Sequence, residues 1–134
     1  MKRISVNPKE NTDTNIWVEV EKNFNIVVCK DIKDFLAVNA GGHPTRNIIL
    51  VQGEEYEVRV FLSLDEQDQY YYIKKPLLDF LQRTKGKIIP IGIDSSDNYY
   101  CVNNETGKVY YWSMELDEYY CIAENLEKFV SLFE

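Results

Sequence analysis

Apolar residues recur along this chain in two rhythms, a helical one at its start, middle and end and a strand-like one between. In "TNIWVEVEKNFNI" (14–26), Ile16, Val20 and Phe24 fall near helical spacing, with Trp17 and Val18 alongside. Thr12, Asp13 or Thr14 is available as a cap, so a helix over about residues 13–24 is predicted. "KDIKDFLAVNAGGHP" (30–44) sets Ile32, Phe35, Leu36 and Asn39 on one face. Gly41 and Gly42 are expected to stop this second helix in the left-handed conformation, and Pro44 to prevent its resumption. "KKPLLDFLQRTKG" (74–86) puts Pro76 in the first turn of a helix that carries Leu77, Leu78, Phe80 and Leu81 and ends near Gly86. "AENLEKFVSLFE" (123–134) spaces Leu126, Phe129, Val130 and Phe133 as a terminal amphipathic helix.

Between these lie strands. "NIILVQ" (47–52) reads as one, Gly53-Glu54 as a turn, and "YEVRVFLSL" (56–64) as its return, with Tyr56, Val58 and Val60 alternating against Glu57 and Arg59. "KIIPIGID" (87–94), with Gly92 inside it, reads as an edge strand, because Pro90 cannot donate to a ladder. "DNYYCVNNETGKVYYW" (97–112) is the densest stretch. If Asn103 pairs with Lys108, Gly107 supplies the left-handed residue that a four-residue hairpin loop favours. Alternation then puts Tyr100, Val102, Val109 and Tyr111 on one face and Tyr99, Cys101, Tyr110 and Trp112 on the other. Both faces are apolar, so the hairpin should lie centrally and be covered on both sides, at least in part.

Helices first, a meander of strands with one inserted helix, then a last helix: this is an α+β order with a mostly antiparallel sheet, not strict βαβ alternation. At 134 residues a single domain over 1–134 is expected, without internal repeats or low-complexity linkers. Hydrophobic residues at 45% and only four prolines predict a folded globule. No run approaches the roughly 18 consecutive apolar residues of a membrane helix. The start has a basic tip with no apolar stretch behind it, so no signal peptide is expected and the cytoplasm is the predicted location.

Charge is segregated. Residues 1–88 carry 13 Lys+Arg and 13 Asp+Glu, whereas residues 89–134 carry two lysines against nine acids. The whole net charge of −7 therefore lies in the last third. Phosphate backbones are repelled by such a surface, which argues against nucleic acid as a partner, while a basic protein is attracted and steered.

Catalytic and metal chemistry find little support. Cys29, Cys101 and Cys121 have apolar neighbours and no paired spacing, which predicts buried inert thiols. His43, the one histidine, sits in a turn, and no nucleophile elbow, zinc motif or phosphate loop is present. "DSSDN" (94–98) lacks the ligand spacing, glycine and closing glutamate of a calcium loop and reads as an oxygen-rich turn. No metal and no cofactor are expected. The aromatic doublets lack the lysines and arginines that surround base-stacking platforms.

Two segments carry a resemblance to the SUKH superfamily. "VVCKDIKDFLAVNAGGHP" (27–44) is similar to its early helix, whose usual form ends in an Asn-Gly-Gly-x-Pro string. "IPIGIDSSDNYYCVNNETGKVYYW" (89–112), followed by "IAENLEKFVSLF", resembles its second half: Ile-Pro-Ile-Gly, a polar turn, a hairpin with Gly-x-Val-Tyr-x-Trp, and a closing helix. Gly41, Gly42, Pro44, Pro90, Gly92 and Gly107 are thereby structural motif positions. This chain departs from the pattern at Cys29, where proline is usual, at the inserted Ala40, and at "SMEL" after the tryptophan.

The resemblance implies an α+β binding domain without catalysis. It implies an immunity protein, as bacterial members mostly are, that neutralises a toxin domain, many of these being nucleases, by direct contact; fungal members resemble regulators of cell-wall synthesis. The first expectation is thus an immunity protein meeting a basic toxin domain through an acidic, aromatic-rich surface. Its candidate contact residues are Asp94, Asp97, Tyr99, Glu105, Tyr110, Trp112, Glu115, Asp117 and Glu118. A housekeeping interaction module is the alternative, and a hydrolase using Cys29 or His43 a third reading.

Overall fold

The computed structural model describes residues 2–9 and 15–134. In chain order it forms β1 (Ser5–Val6), α1 (Asn15–Phe24), α2 (Lys30–Asn39), β2 (His43–Pro44), β3 (Ile48–Val51), β4 (Glu54–Glu57), β5 (Val60–Phe61), α3 (Lys74–Thr84), β6 (Ile88–Ile93), β7 (Tyr99–Asn103), β8 (Val109–Ser113), β9 (Glu118–Ala123) and α4 (Leu126–Ser131). The fold is α+β. The strands β5 to β9 make one antiparallel sheet in sequence order, with the ribbons β1–β2 and β3–β4 beside it.

Each helix arises where the apolar spacing predicts it. α1 buries Ile16, Trp17 and Val20, leaving Val18 exposed; the cap proposed for it at residues 12–14 lies outside the described residues. α2 buries Ile32, Phe35, Leu36 and Asn39. Asn39 is the polar member of that face because its amide ties down β1: Oδ1 accepts from the Ile4 and Ser5 amides at 2.9 and 3.2 Å, and Nδ2 donates to the Phe35 carbonyl at 3.2 Å. α4 begins at Asn125, whose side chain accepts from the Lys128 amide, and buries Leu126, Phe129 and Val130. These faces meet Tyr100, Val102 and Val109 of the sheet in one core, with Phe35 edge-on to Phe61 at 5.1 Å and Phe129 edge-on to Phe133 at 5.2 Å.

The central hairpin has the predicted register. Val102 lies opposite Val109 and Tyr100 opposite Tyr111, while Tyr99 faces Trp112 and Cys101 faces Tyr110. Asn103 donates its amide to the Lys108 carbonyl, and Gly107 closes the loop at φ +80°. Asn104, in that loop, reaches the α1–α2 link. Its Oδ1 accepts from the Cys29 amide at 2.7 Å and its Nδ2 donates to the Val27 carbonyl at 2.9 Å.

Several expectations are corrected. β6 is not an edge: it lies between β5 and β7, and Pro90 is accommodated at the bulge where the register with β7 shifts. The predicted return strand over 56–64 splits in two. Val58 still donates to Asn47, but Arg59 donates to Ile93, so the chain leaves β3 and joins β6 within one residue. The first turn is centred on Gln52 and Gly53, both at positive φ, rather than on Gly53-Glu54. Of the glycine pair after α2, only Gly41 takes the left-handed conformation, at φ +74°. Gly42 is required for space, since any side chain there would collide with Ser5 of β1, the strand that pairs with Pro44. Gly92 likewise lets Phe61 pack against β6. The apolar spacing does not predict β1, β2 or β9; β9 pairs with β8 and forms the last strand of the sheet. Among the described residues no helix is long and apolar enough to cross a membrane.

Val109 is fully buried between the sheet and the helices. Val109→Asp would place an unpaired carboxylate there and is expected to cost at least roughly 4 kcal/mol, a large fraction of the stability of an ordinary small domain. Urea unfolding followed by circular dichroism tests this, and a midpoint near that of the parent chain would remove Val109 from the core.

Candidate functional site

The face of the sheet turned away from the main core carries Tyr99, Cys101, Tyr110 and Trp112, to which β9 adds Tyr119 and Cys121. α3 covers one end of it. Its Leu77 and Leu81 enter the main core, while Phe80 packs on the opposite side with Ile88, Cys101 and Trp112. The Phe80 ring stands edge-on to Trp112 at 5.1 Å and to Tyr99 at 5.6 Å. Burying a side chain such as Phe80 contributes roughly 1.5–3 kcal/mol, enough to hold the helix end against the sheet. Arg83 lies across the same rings, its guanidinium carbon 4.9 Å from the Phe80 centroid and 5.2 Å from that of Trp112. It also pairs with Asp79 at 3.2 Å and Asp117 at 3.5 Å.

Trp112 is consequently an internal residue, 8% exposed, whose Nε1–H donates to Asp117 Oδ1 at 2.7 Å. Tyr99 is half-buried beside it. Tyr110 and Tyr119 pair edge-on at 6.1 Å beyond the reach of Phe80 and keep part of their surface in solvent. Between α3, the segment 65–72 and the hairpin lies a cleft of about 570 Å³. Tyr99 and Trp112 of the sheet, Phe80 of α3, and Tyr70 and Tyr72 of the segment line it, with Lys75, Asp79, Asp97 and Met114 around them. Asp65 and Asp68 hold the tyrosine-bearing segment in shape by accepting from the Gln67, Tyr70 and Tyr71 amides at 2.9–3.2 Å.

The nine residues predicted for the contact surface have different fates. Asp94 is buried: its carboxylate accepts from the Ser96 and Asn98 amides at 2.8 and 2.9 Å and from the Tyr111 hydroxyl at 2.8 Å, so it builds the turn. Asp97, three residues on, is exposed in the left-handed conformation at φ +66°. The 94–98 turn adjoins the β8–β9 turn, where Met114 donates its amide to Asn98 Oδ1 at 2.9 Å. That junction brings Asp97, Tyr99, Trp112, Glu115, Asp117 and Glu118 to one end of the sheet. Tyr110 lies further along β8, and Glu105 sits in the hairpin loop at the opposite end, roughly 17 Å away along a five-residue strand. Phe80, Arg83, Lys75 and the Tyr70–Tyr72 run belong to this region and were not singled out from the sequence; three consecutive tyrosines ahead of a helix were the available signal.

The residues considered for catalysis do not converge. Cys29 precedes α2 and His43 follows it, so they lie roughly 15 Å apart along the helix axis. His43 Nδ1 lies 3.1 Å from the Arg59 carbonyl oxygen. Of the thiols only Cys101 is fully buried, and burial pushes it well above the usual thiol range. Cys29 is half-buried and Cys121 exposed, because β9 turns its outer face to solvent; the expectation of three buried thiols fails there.

Burial also raises the phenols of Tyr99, Tyr100, Tyr111 and Tyr119, the last to about 12, with Asp97 and Asp79 adding to the effect at Tyr99 and Asp94 at Tyr100 and Tyr111. Above pH 10 the unfolded chain releases protons that the folded chain retains, so stability falls as pH rises from about 10 towards 12. Tyrosinate absorbance from these four rings should therefore appear together with loss of the dichroism signal. Their ionisation near pH 10 in a chain that stays folded would contradict the packing described.

With the geometry in place, comparison by sequence adds a family. No curated protein matches the chain. The model of the SMI1 / KNR4 family (SUKH-1) matches residues 11–132, from just ahead of α1 to the residue that follows α4. The match takes in the glycine pair after α2, the Pro90 strand, the aromatic hairpin and the closing helix, and on that span the chain belongs to the SMI1 / KNR4 (SUKH-1) family.

Proposed function

We propose that this SUKH-type protein–protein interaction module is an immunity protein of the bacterial cytoplasm, which neutralises a basic toxin domain by direct contact and performs no catalysis of its own. The observation that carries the reading is the position of the charge. All seven net negative charges fall in residues 89–134. At one end of the sheet Asp97, Glu115 and Glu118 lie beside the solvent-facing Met114, Leu116, Tyr119 and Tyr120. Apolar anchors within an acidic rim suit a basic partner, since carboxylates speed encounter and aromatic side chains supply the buried contact. A nuclease domain, which must hold phosphate, presents such a basic surface.

The test takes the product of the neighbouring gene as the candidate toxin, with binding measured by surface plasmon resonance. Glu115→Lys with Glu118→Lys should lower the association rate roughly tenfold and flatten its salt dependence, with the urea midpoint little changed. Asp117 is left intact because it holds Trp112 and Arg83. Absence of binding by the parent chain at moderate salt would sink the proposal; an association rate indifferent to the two reversals would move the docking surface elsewhere.

A further inference from the structure

We infer that the cleft between α3 and the hairpin is a receptor for an arginine side chain projecting from the protein partner. The inference deepens the proposed function, since it takes the partner to be basic, and it names the side chain that enters. Aromatic rings on two sides of a concave site, with a carboxylate at the margin, are the surroundings a planar guanidinium selects: it stacks on the rings and donates to the carboxylate oxygens.

The molecule already shows this chemistry once. Arg83 spans the Phe80 and Trp112 rings while pairing with Asp79 and Asp117. Phe80 and Trp112 form the buried floor of the cleft, and the rings with surface left to offer a second guanidinium are Tyr99, Tyr72 and the exposed Tyr70. Tyr70 is 85% exposed, yet its backbone is fixed by Asp68, so a large aromatic surface is held at the opening. A guanidinium is far smaller than the 570 Å³ available, which leaves room for its aliphatic stem against Pro76 and Met114.

The charge balance leaves the site short of a cation. Lys74 is paired with Glu19, and Arg83 with Asp79 and Asp117. Asp97 then remains on the cleft, with Lys75 as the opposing charge. Lys74 and Lys75 both border a neighbouring hollow lined by Glu66 and Asp68; with Lys74 held by Glu19 and Asp68 engaged by the Tyr70 and Tyr71 amides, Lys75 is the one ammonium left against Asp97 and Glu66.

Titration of the full chain with N-acetyl-arginine methylamide, followed by protein NMR, tests the inference without knowledge of the partner. Saturable shifts should centre on Tyr70, Tyr99 and the Trp112 indole. The citrulline analogue, isosteric and uncharged, should bind at least fivefold more weakly. Tyr70→Ala should weaken arginine binding about two- to fivefold, as loss of an exposed cation–π contact does. Asp97→Asn, which keeps a residue tolerant of positive φ, should weaken it by a similar factor. Equal binding of the two analogues, shifts confined to the Glu115 and Glu118 turn, or indifference to both substitutions would overturn it. Partner binding retained in a Tyr70→Ala, Asp97→Asn double variant would reject the cleft and leave the immunity reading standing. Arginine binding by a chain that meets no toxin would do the reverse.

Discussion

A hairpin that is apolar on both faces cannot leave either one in water, and most of the molecule is arranged by that constraint. Tyr100, Val102, Val109 and Tyr111 take the side served by α1, α2 and α4. Tyr99, Cys101 and Trp112 take the other, where one helix, α3, must cover them and reach the main core as well. α3 does both because Leu77 and Leu81 point one way and Phe80 the other. The far side is only partly roofed, so the cleft and the solvent-facing tyrosines lie where the cover ends.

Much of this was legible because it depends on local rhythm. The faces of the hairpin follow from a period of two, its loop from Gly107, and the α2 stop from a glycine pair. The losses are equally physical. Pro90 was read as an edge residue, whereas a bulge let it stay inside the sheet, and bulges leave no periodic mark. The strand at 56–64 kept its alternation while changing partners, a tertiary event that spacing does not encode. β9 starts with charge and keeps only Ile122 buried, so no apolar alternation announced it.

For the site, the sequence showed how much charge there is and in which third of the chain, but not which carboxylates are available. Asp94 and Asp97 differ by three positions in one turn; the first is consumed by backbone amides and a tyrosine hydroxyl, the second is free in solvent. The cleft draws on segments around residues 70, 79, 97 and 112, which are distant in sequence, and arises only once α3 is docked. Asparagines were likewise underread. Asn39 and Asn104 each use both ends of one amide to tie segments 35 or more residues apart, which a residue-type count treats as ordinary polarity.

β9 ends the sheet with the sequence EYYCIA, and it contains neither the proline nor the lysine with which edge strands usually discourage further pairing. Exposed carboxylates at Glu118, Glu115 and Glu124 flank that edge, so two copies brought together along it would meet like charge. Colloidal stability and any attraction for a basic surface are therefore the same electrostatic quantity in this molecule. Ions that screen one screen the other, and a variant relieved of its acids would lose that repulsion at the moment it lost its pull on a partner.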